Sequence, residues 1–266
     1  MKKNALITGA SSGIGREFAR VFAREGYALT LVARRQERLE QLKNELVKEY
    51  NVEVVMIPCD LSKPCAAESV YQQWQKSFSH LDVLVNNAGV GHHGALTDVK
   101  LAYVNEMIQL NVSALTELTR LFLPDMVKRR FGAVLNVASS AGFIPGSFMG
   151  VYYATKAFVV SLSEALAEEL RGSGVSVTVL CPGPVKTEFQ SVAYLEDPAV
   201  TLKRKIPTAR QTAEYGFKAM QRQMVIAIPD CKNKLIPYLI RVLPRWLIRR
   251  LVRHAQLTHI APYPRQ

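Results

Sequence analysis

The sequence predicts an α/β fold: a doubly wound parallel sheet of about seven strands with helices on both faces. Short apolar runs alternate along the chain with longer segments of helical periodicity. A glycine-rich turn, TGASSGIG at 8–15, joins the first apolar run to the first helical segment. The chain has 266 residues, 48% of them hydrophobic, and no repeat or low-complexity linker, which suits one large core.

The strands are predicted where the apolar runs are short. They are Asn4–Thr8, Ala28–Ala33, Val52–Ile57, Leu81–Val85, Ala133–Ala138, Val175–Leu180 and Val225–Ile228. Longer segments with apolar residues every three or four positions predict helices at Ile14–Glu25, Glu37–Tyr50, Val99–Met126 and Tyr152–Arg171. In such folds ligands bind beyond the carboxyl ends of the strands, where Asn86, Ser139 and Pro182 stand.

Composition argues against several classes of protein. Mean hydropathy is +0.03. The longest uncharged stretch, Phe131–Thr155, is too rich in Gly, Ser, Asn and Pro to span a bilayer. Lys2 and Lys3 lead directly into the first predicted strand, so we expect no signal peptide. The four cysteines lack metal-ligand or redox spacing, which indicates reduced thiols in a cytoplasmic protein and no metal site.

The glycine-rich turn is typical of a phosphate-binding site. Gly9, Gly13 and Gly15 permit a tight turn, close approach of the backbone to a pyrophosphate, and close packing of helix on strand. Free N–H groups at the start of the helix attract the anion. The spacing G-x-x-x-G-x-G is related to the G-x-G-x-x-G of other Rossmann-type dinucleotide folds but does not match it.

A tyrosine and a lysine four residues apart, Tyr152 and Lys156, share one face of a predicted helix, and Ser139 lies 13 residues before the tyrosine. A free phenol has a pKa near ~10 and is a poor acid–base catalyst at neutral pH. A lysine ammonium one turn away favours the phenolate, so we expect it to lower that pKa. Alone, the pair is also common on solvated helix faces, and its weight depends on the other motifs.

Six motifs in order resemble those of the short-chain dehydrogenase/reductase family, in its single-domain branch, from about Lys2 to about Ile228. They are TGASSGIG, NNAG at Asn86–Gly89, Asn111, Ser139, YYATK at 152–156 and Pro182-Gly183. The resemblance implies that Ser139 hydrogen-bonds the substrate carbonyl and that Tyr152 transfers the proton. Lys156 would lower the phenol pKa and bind the nicotinamide ribose, and Asn111 would hold a water that links Lys156 to solvent.

The resemblance also implies a dinucleotide site. Asp60 would cap the adenine ring, and Thr187 would contact the carboxamide end of the cofactor. The expected cofactor-binding residues are Gly9, Ser11, Ser12, Gly13, Ile14, Gly15, Arg34, Arg35, Asp60, Leu61, Asn87, Ala88, Gly89, Tyr152, Lys156, Pro182, Gly183, Val185 and Thr187.

The end of the second strand favours NADP(H) over NAD(H). Enzymes that prefer NAD place an acidic residue there for the ribose 2′-hydroxyl, but this strand ends in Ala33 followed by Arg34 and Arg35. A guanidinium binds a 2′-phosphate through paired charge-assisted hydrogen bonds. Arg34 is the first candidate, Arg35 the second, and Arg16 a possible neighbour; arginines on an exposed loop are the alternative.

The substrate pocket is predicted from two segments that follow strand ends, 142–149 and 185–206. Their large apolar residues would suit a lipophilic carbonyl compound or its alcohol, and they are Phe143, Ile144, Phe148, Met149, Phe189, Val192, Tyr194 and Leu195. The same residues can equally pack on the core or on another subunit. Tyr153 is expected to pack or to line the pocket. His92 and His93 can line the cleft, but a solvated loop is the favoured interpretation.

Charge is concentrated in the last quarter of the chain. Residues 200–266 hold 14 Lys and Arg but 2 Asp and Glu, a net charge of +12 (14 − 2), whereas residues 1–199 hold 20 of each sign. Among Leu, Ile and Trp residues, arginines recur at every fourth position, as in a basic amphipathic helix at a membrane surface: Arg241, Arg245, Arg249 and Arg253. Pro237 and Pro244 should break this helix into short pieces.

We therefore predict a dinucleotide-binding catalytic domain at 1–230 and a basic amphipathic C-terminal extension at 231–266. The extension can lie on an anionic membrane, cover the pocket, bind an acyl carrier or a CoA phosphate, or form a subunit interface. Nucleic acid is disfavoured, because no base-reading motif accompanies the charge.

The leading hypothesis is a cytoplasmic NADPH-dependent carbonyl reductase or alcohol dehydrogenase, homodimeric or homotetrameric, that acts on a hydrophobic ketone or a 3-oxoacyl compound. The alternative is a non-catalytic dinucleotide-binding or membrane-associated scaffold that works through its basic tail. The set of Ser139, Tyr152, Lys156 and Asn111 argues against the scaffold, which needs none of these residues.

Overall fold

A seven-stranded parallel sheet forms the centre of the molecule. The computed structural model describes residues 3–189, 206–230 and 233–257. The strands are β1 Asn4–Thr8, β2 Ala28–Ala33, β3 Val54–Pro58, β4 Val83–Asn86, β5 Gly132–Val137, β6 Val175–Leu180 and β7 Ile226–Ala227. They lie in the order β3-β2-β1-β4-β5-β6-β7, so the predicted fold class is confirmed.

Helices cover both faces of the sheet. They are α1 Gly13–Arg24, α2 Gln36–Tyr50, α3 Ala66–Gln75, α4 Leu101–Ile108, α5 Leu115–Arg129, α6 Gly150–Glu169, α7 Ala209–Gln221, α8 Ile236–Val242 and α9 Arg245–Leu257. The strands are near-continuous apolar runs because both faces are buried: Ile7 packs on the side of α1 and α7, and its neighbour Leu6 packs on the side of α3 and α5.

The helix predicted over Val99–Met126 is present as a continuous helical run over 101–129, but it contains a π-helical turn that the sequence does not predict. The segment divides into α4, a π-helical stretch at Gln109–Ala114, and α5. The buried side chain of Asn111 bonds to the backbone of Val90, accepting from its N–H at 2.9 Å and donating to its carbonyl at 2.9 Å. This bonding holds a polar group at the wide turn, as π-helical segments commonly do near functional sites. Hydrophobic periodicity does not report such a break.

The two C-terminal helices are short, as the prolines predict. Pro237 stands in the first turn of α8, and Pro244 separates α8 from α9. Helix α8 contacts the 3₁₀ turn Ser140–Phe143, which follows β5 at the carboxyl edge of the sheet. The division into a domain at 1–230 and an extension at 231–266 stays a prediction.

Candidate active site

The glycine-rich turn lies between β1 and α1, at the carboxyl end of β1. Gly9 has φ +67°, and a Cβ at this residue would come within 2.9 Å of the Ala88 Cα. A Cβ at Gly15 would collide with the carbonyl oxygen of Gly9. The N-cap Ser12 makes no side-chain capping bond to the part of the chain that the structure describes, and the first turn of α1 has no acidic residue. The positive end of this helix therefore faces the cleft without a neutralising side chain.

Thr8 and Asn87 hold this turn against the end of β4. The Thr8 hydroxyl accepts from the backbone N–H groups of Asn87 and Ala88, at 2.9 and 3.0 Å. The Asn87 amide donates to the Thr8 carbonyl at 2.9 Å. The Asn87 side chain thus shapes the turn, a role that the sequence analysis did not assign to it.

Arg34 and Arg35 follow β2 at the far end of the cleft. Arg34 pairs with Glu106 at 3.2 Å. The Arg35 guanidinium donates to the Ser11 hydroxyl at 3.2 Å, and so joins the end of β2 to the glycine-rich turn. Both arginines line the cleft with Ser11, which places guanidinium groups where the sequence predicts the 2′-phosphate.

Glu188 joins Arg35 to a third arginine, Arg38, beside this end of the cleft. Its carboxylate pairs with Arg35 at 3.1 Å and with Arg38 at 2.7 Å. Hydrogen bonding from Arg38 and Arg35 lowers the pKa of Glu188. The sequence analysis missed both Glu188 and Arg38, because neither stands in a motif. Arg16, its third candidate, instead pairs with Glu45 at 3.4 Å.

Asp60 lies just beyond the end of β3 and is held in a tight turn. Its carboxylate accepts from the Ser62 N–H at 3.1 Å and from the Ser62 hydroxyl at 2.7 Å. Burial alone raises the pKa of Asp60, but the two bonds from Ser62 and the charge of Arg34 outweigh it and lower the pKa overall. Asp60 is thus an ordered anion on the cleft wall, next to the arginines.

Ser139 follows β5 and is the N-cap of the 3₁₀ turn Ser140–Phe143. Its Oγ accepts from the Ala141 N–H at 3.1 Å and donates to the Pro182 carbonyl at 3.3 Å. The Ser139 hydroxyl also lies beside the phenol of Tyr152 and lowers the pKa of that phenol. The structure thus brings the ends of β5 and β6 and the start of α6 to one point.

Tyr152 and Lys156 stand one turn apart on α6, and both are buried. Burial raises the pKa of Tyr152 to about 12, against the lowering effect of Ser139. Burial also lowers the pKa of Lys156 to about 8. The lysine Nζ donates to the Val137 carbonyl at 2.8 Å and lies 5.8 Å from the centroid of the Tyr152 ring.

The expected lowering of the phenol pKa by Lys156 is therefore not met in this geometry. The contributions to the Tyr152 pKa come from burial, from Ser139 and from Tyr153. Burial lowers the pKa of Lys156 itself, because the charged ammonium loses hydration. The lysine Nζ donates to the backbone carbonyl of Val137 and not to the phenol. At neutral pH the phenol keeps its proton.

Asn111 is hydrogen-bonded to the turn of α6 that carries Tyr152 and Lys156. Its Nδ2 donates to the Thr155 hydroxyl at 3.1 Å, and that hydroxyl donates to the Tyr152 carbonyl at 2.7 Å. A Cβ placed on Gly89 would lie 3.1 Å from the Asn111 Oδ1 and 3.4 Å from the Lys156 Nζ. The π-helical stretch thus reaches α6 at the catalytic turn. The water that Asn111 would hold stays a prediction.

One cleft of about 540 Å³ collects nearly all the predicted site residues. The exceptions are Gly15 and Asn111, which are buried. Beyond the catalytic residues, the wall is formed by Ile144, Met149, Tyr153 and Phe189. The individual roles of the predicted site residues stay predictions, but the arrangement can bind an elongated molecule with one charged and one apolar end.

Three of the residues predicted for the substrate pocket line the cleft, namely Ile144, Met149 and Phe189. Phe143 packs instead against the hydrophobic cluster between β6 and α6. Val192, Tyr194 and Leu195 lie outside the described residues. The solvated-loop interpretation of His93 is wrong, because this side chain is buried and its ring lies 6.4 Å from that of Phe148.

The sequence analysis also missed Gln256, near the end of α9. Gln256 lines the cleft, and its Nε2 donates to the Tyr153 hydroxyl at 3.0 Å. No local pattern marks this residue, which stands in a run of arginines and leucines more than a hundred positions from Tyr153. The contact supports one of the predicted roles of the extension, that of covering the pocket.

Membrane-spanning helices and candidate metal sites are both absent from the described residues. No described helix is long and apolar enough to cross a membrane. Within residues 3–189, 206–230 and 233–257, no group of three or more His, Cys, Asp or Glu side chains is placed to hold a metal ion.

Known proteins resemble this chain in sequence and in structure. A model of the family described as short chain dehydrogenase matches residues 3–197. The chain belongs to the short-chain dehydrogenase family.

The ketoacyl reductase HetN of Nostoc sp. is 33% identical to this dehydrogenase over 234 residues, 88% of this chain and 78% of the relative. A solved short-chain dehydrogenase from Sphingobium yanoikuyae, in complex with NADPH, has a TM-score of 0.81 and 31% identity, covering 99% of this chain and 98% of its own. A family member from Burkholderia phymatum, in complex with NAD, has a TM-score of 0.78 and 25% identity, covering 100% and 98%.

This short-chain dehydrogenase is an oxidoreductase with a nicotinamide dinucleotide cofactor. The residues present fit such a cofactor: the turn at Gly9 admits a pyrophosphate backbone, α1 points its positive end at the cleft, and guanidinium groups stand at one end.

Proposed function

We propose that this dehydrogenase uses NADP(H) to interconvert a hydrophobic ketone or 3-oxoacyl compound and its alcohol. The observation that carries the proposal is the buried pair of Tyr152 and Lys156, one turn apart and beside Ser139, on the wall of a cleft that the apolar Ile144, Met149 and Phe189 also line. A non-catalytic scaffold has no use for a buried lysine, because burying its charge costs stability.

In the mechanism, the bound cofactor supplies or accepts the hydride. Ser139 and Tyr152 hydrogen-bond the substrate carbonyl and hold it in place. As negative charge develops on the carbonyl oxygen, Tyr152 donates its proton to it. A phenol with a pKa of about 12 is protonated at neutral pH, which supports the direction of reduction.

Lys156 has two tasks in this proposal. One of its three N–H donors is engaged by the Val137 carbonyl, and the other two can bind ribose hydroxyls. With the cofactor bound, the ammonium would be held closer to the phenol than in the present geometry, and it would then stabilise the phenolate left by proton transfer. Asn111 and Thr155 position this turn of α6 through their hydrogen bonds.

NADP(H) is favoured by the charges at the end of β2. The strand ends in Ala33 and is followed directly by Arg34 and Arg35, which line the cleft, and Arg35 is hydrogen-bonded to Ser11. A 2′-phosphate placed there gains charge-assisted hydrogen bonds in exchange for exposed ion pairs with Glu106 and Glu188, which contribute little in water. The NADPH complex of the Sphingobium relative supports the same choice.

The substrate class is supported by the apolar outer wall and by the Nostoc relative, whose name is that of a ketoacyl reductase. The test is a panel of aliphatic ketones, steroid ketones and 3-oxoacyl thioesters, with NADPH consumption followed at 340 nm. We expect turnover of at least one hydrophobic member and preference for NADPH over NADH. Cofactor binding without turnover of any member would favour the scaffold instead.

We further propose that the tail contacts an anionic membrane surface. Residues 233–257 contain six Lys and Arg and no Asp or Glu. Beside these charges lie exposed apolar side chains, among them Tyr238, Leu239, Val242 and Trp246. Basic and large apolar groups together on α8 and α9 match the headgroup region of an anionic bilayer. Binding there would also bring the cleft near lipophilic substrates. A cytoplasmic protein that binds such a membrane peripherally fits these features.

Vesicle sedimentation tests this contact. The full-length protein should sediment with phosphatidylglycerol vesicles at low salt, stay in solution with phosphatidylcholine, and be released at high salt. Trp246→Ala with Leu239→Ser should weaken sedimentation, while the same changes leave ketone turnover intact. If the wild-type protein sediments with neither kind of vesicle but forms dimers or tetramers, and the double variant does not form them, the surface is the predicted subunit interface.

A further inference from the structure

The end of α9 forms part of the cleft wall beside the catalytic tyrosine. Ile248 is buried and anchors the helix, and Gln256, two turns later, lines the cleft. The Gln256 Nε2 donates to the Tyr153 hydroxyl at 3.0 Å. The rings of Tyr152 and Tyr153 have centroids 6.1 Å apart, so this amide lies within reach of a substrate group a few bonds from the reacting carbonyl.

The oxygen of the Gln256 amide has no hydrogen-bond partner among the described residues. This Oε1 is buried and accepts no hydrogen bond from any residue that the structure describes. Buried carbonyl oxygens of this kind are uncommon, since each one has given up hydration without replacement. Because Gln256 lines the cleft, a substrate bound beside Tyr153 is the partner available to this oxygen.

The chemistry of an amide oxygen determines what it can bind. It accepts hydrogen bonds and donates none, so the substrate must present an N–H or O–H group. In the structure the Tyr153 hydroxyl accepts from the donor end of the amide, which leaves the amide oxygen for a ligand. A substrate with only apolar groups or acceptors here would leave the oxygen unpaired.

We propose that Gln256 is a specificity-determining residue that accepts a hydrogen bond from a donor on the substrate, and that the favoured substrates are 3-oxoacyl thioesters whose thiol arm carries an amide N–H. The inference rests on the proposed 3-oxoacyl activity and names the group that is recognised. The walls of Ile144, Met149 and Phe189 then receive the acyl chain.

Two matched substrates test the inference. They are the S-(2-acetamidoethyl) and S-(2-acetoxyethyl) thioesters of one medium-chain 3-oxo acid, which differ in an N–H replaced by an oxygen. Wild type should prefer the acetamido compound by about tenfold in kcat/KM, the effect of one hydrogen bond together with the penalty for facing two acceptors. The difference should lie in KM, since the contact is present before and during the reaction.

Gln256→Leu keeps the volume of the side chain and removes the amide. It should lower kcat/KM for the acetamido compound by about tenfold and change the acetoxy compound by less than about twofold. Gln256→Glu keeps an acceptor and should keep the preference, which provides a second variant if the first does not fold. His254→Ala, an exposed change on the same helix, is the control and should behave as wild type.

The possible failures are distinguishable. Equal losses on both substrates in Gln256→Leu would mean that Gln256 only packs α9 onto Tyr153, and an unchanged preference would mean that it does not contact the substrate. Either result overturns the inference and leaves the proposed function in place. Absence of wild-type turnover with both thioesters and with every ketone overturns the two together.

Discussion

The catalytic half of the cleft and the two C-terminal helices differ in how their side chains are held. Tyr152, Lys156 and Asn111 are buried, and each makes hydrogen bonds to the ends of strands or to α6. In α8 and α9, Val242 is 84% exposed and Trp246 is 52% exposed, whereas Ile248 is 8% exposed. In the first region the functional side chains are buried, and their chemistry depends on position.

The proposed roles of α8 and α9 depend on their amino-acid composition and on the contact between Gln256 and Tyr153. Their charge and exposed apolar groups can meet a surface in many orientations, but Gln256 enters the cleft at one place. Under the proposals made above, the type of reaction depends on residues at the sheet edge, whereas substrate choice and location depend on α8 and α9. Four experiments test this division, from the largest expected effect to the smallest.

Tyr152→Phe should lower turnover by about 10²–10⁴-fold, the usual contribution of a positioned proton donor, with dinucleotide binding retained. The ring and its packing remain, so the loss reports the hydroxyl alone. Steady-state kinetics on the best ketone of the panel measures it. Tyr153→Phe on a ketone without a donor is the matched control and should keep most of the activity; near-wild-type turnover of folded Tyr152→Phe would contradict the mechanism.

Phe22→Ala should destabilise the fold by about 3–5 kcal/mol, whereas Trp246→Ala should cost less than about 1 kcal/mol. Phe22 is fully buried and meets Phe217 edge to face at 4.9 Å. Trp246 is half exposed and stacks on the Arg250 guanidinium at 5.4 Å. Urea unfolding of both variants measures the two losses in unfolding free energy. Similar losses would show that α8 and α9 contribute to the stability of the fold as the core does.

Lys156→Met should gain stability relative to wild type as the pH falls. The pKa of Lys156 in the folded chain, about 8, lies below that of an unfolded lysine. The unfolded chain therefore binds this proton more readily, and the buried lysine costs stability fully below pH 8 and little above its unfolded value. Between pH 10.5 and pH 7 the difference in unfolding free energy should shift toward the variant by on the order of 3 kcal/mol.

The measurement for Lys156→Met is urea unfolding of the cofactor-free protein at several pH values. Loss of the bond to the Val137 carbonyl adds a cost that does not depend on pH, so the trend and not its offset is the result. A pH-independent difference would mean that Lys156 is hydrated in the folded protein.

Arg34→Ala should weaken NADPH binding by about 1.5–3 kcal/mol, the contribution of a charge-assisted contact, and change NADH binding little. Arg35→Ala should show the same selectivity, because Arg35 is bonded to Ser11 in the same corner. Fluorescence titration with both cofactors measures the two affinities. Arg24→Ala, which breaks an exposed pair with Glu214, is the control; equal losses for NADPH and NADH in Arg34→Ala would contradict the assignment.

Much of the fold follows from local pattern. The predicted bounds of β1, β2 and β6 agree with the structure, since each strand is a mostly apolar run with at most two small polar residues and is buried on both faces. Local pattern does not predict the π-helical stretch at Asn111, because that break depends on bonds to Val90 across the fold. Nor does it predict that burial dominates the pKa of Tyr152, which depends on the packing around the ring.

By itself the sequence determined the fold class, the family and the residues gathered in the cleft, because glycine spacing, strand length and the Tyr152–Lys156 step are local properties of the chain. Tertiary structure alone decided which side chains hold those residues and what completes the pocket. The Arg35–Arg38 pair on Glu188 and the Gln256 amide on Tyr153 each join segments more than a hundred residues apart. Such contacts arise only when the elements pack, and neither partner is marked by its neighbours in the chain.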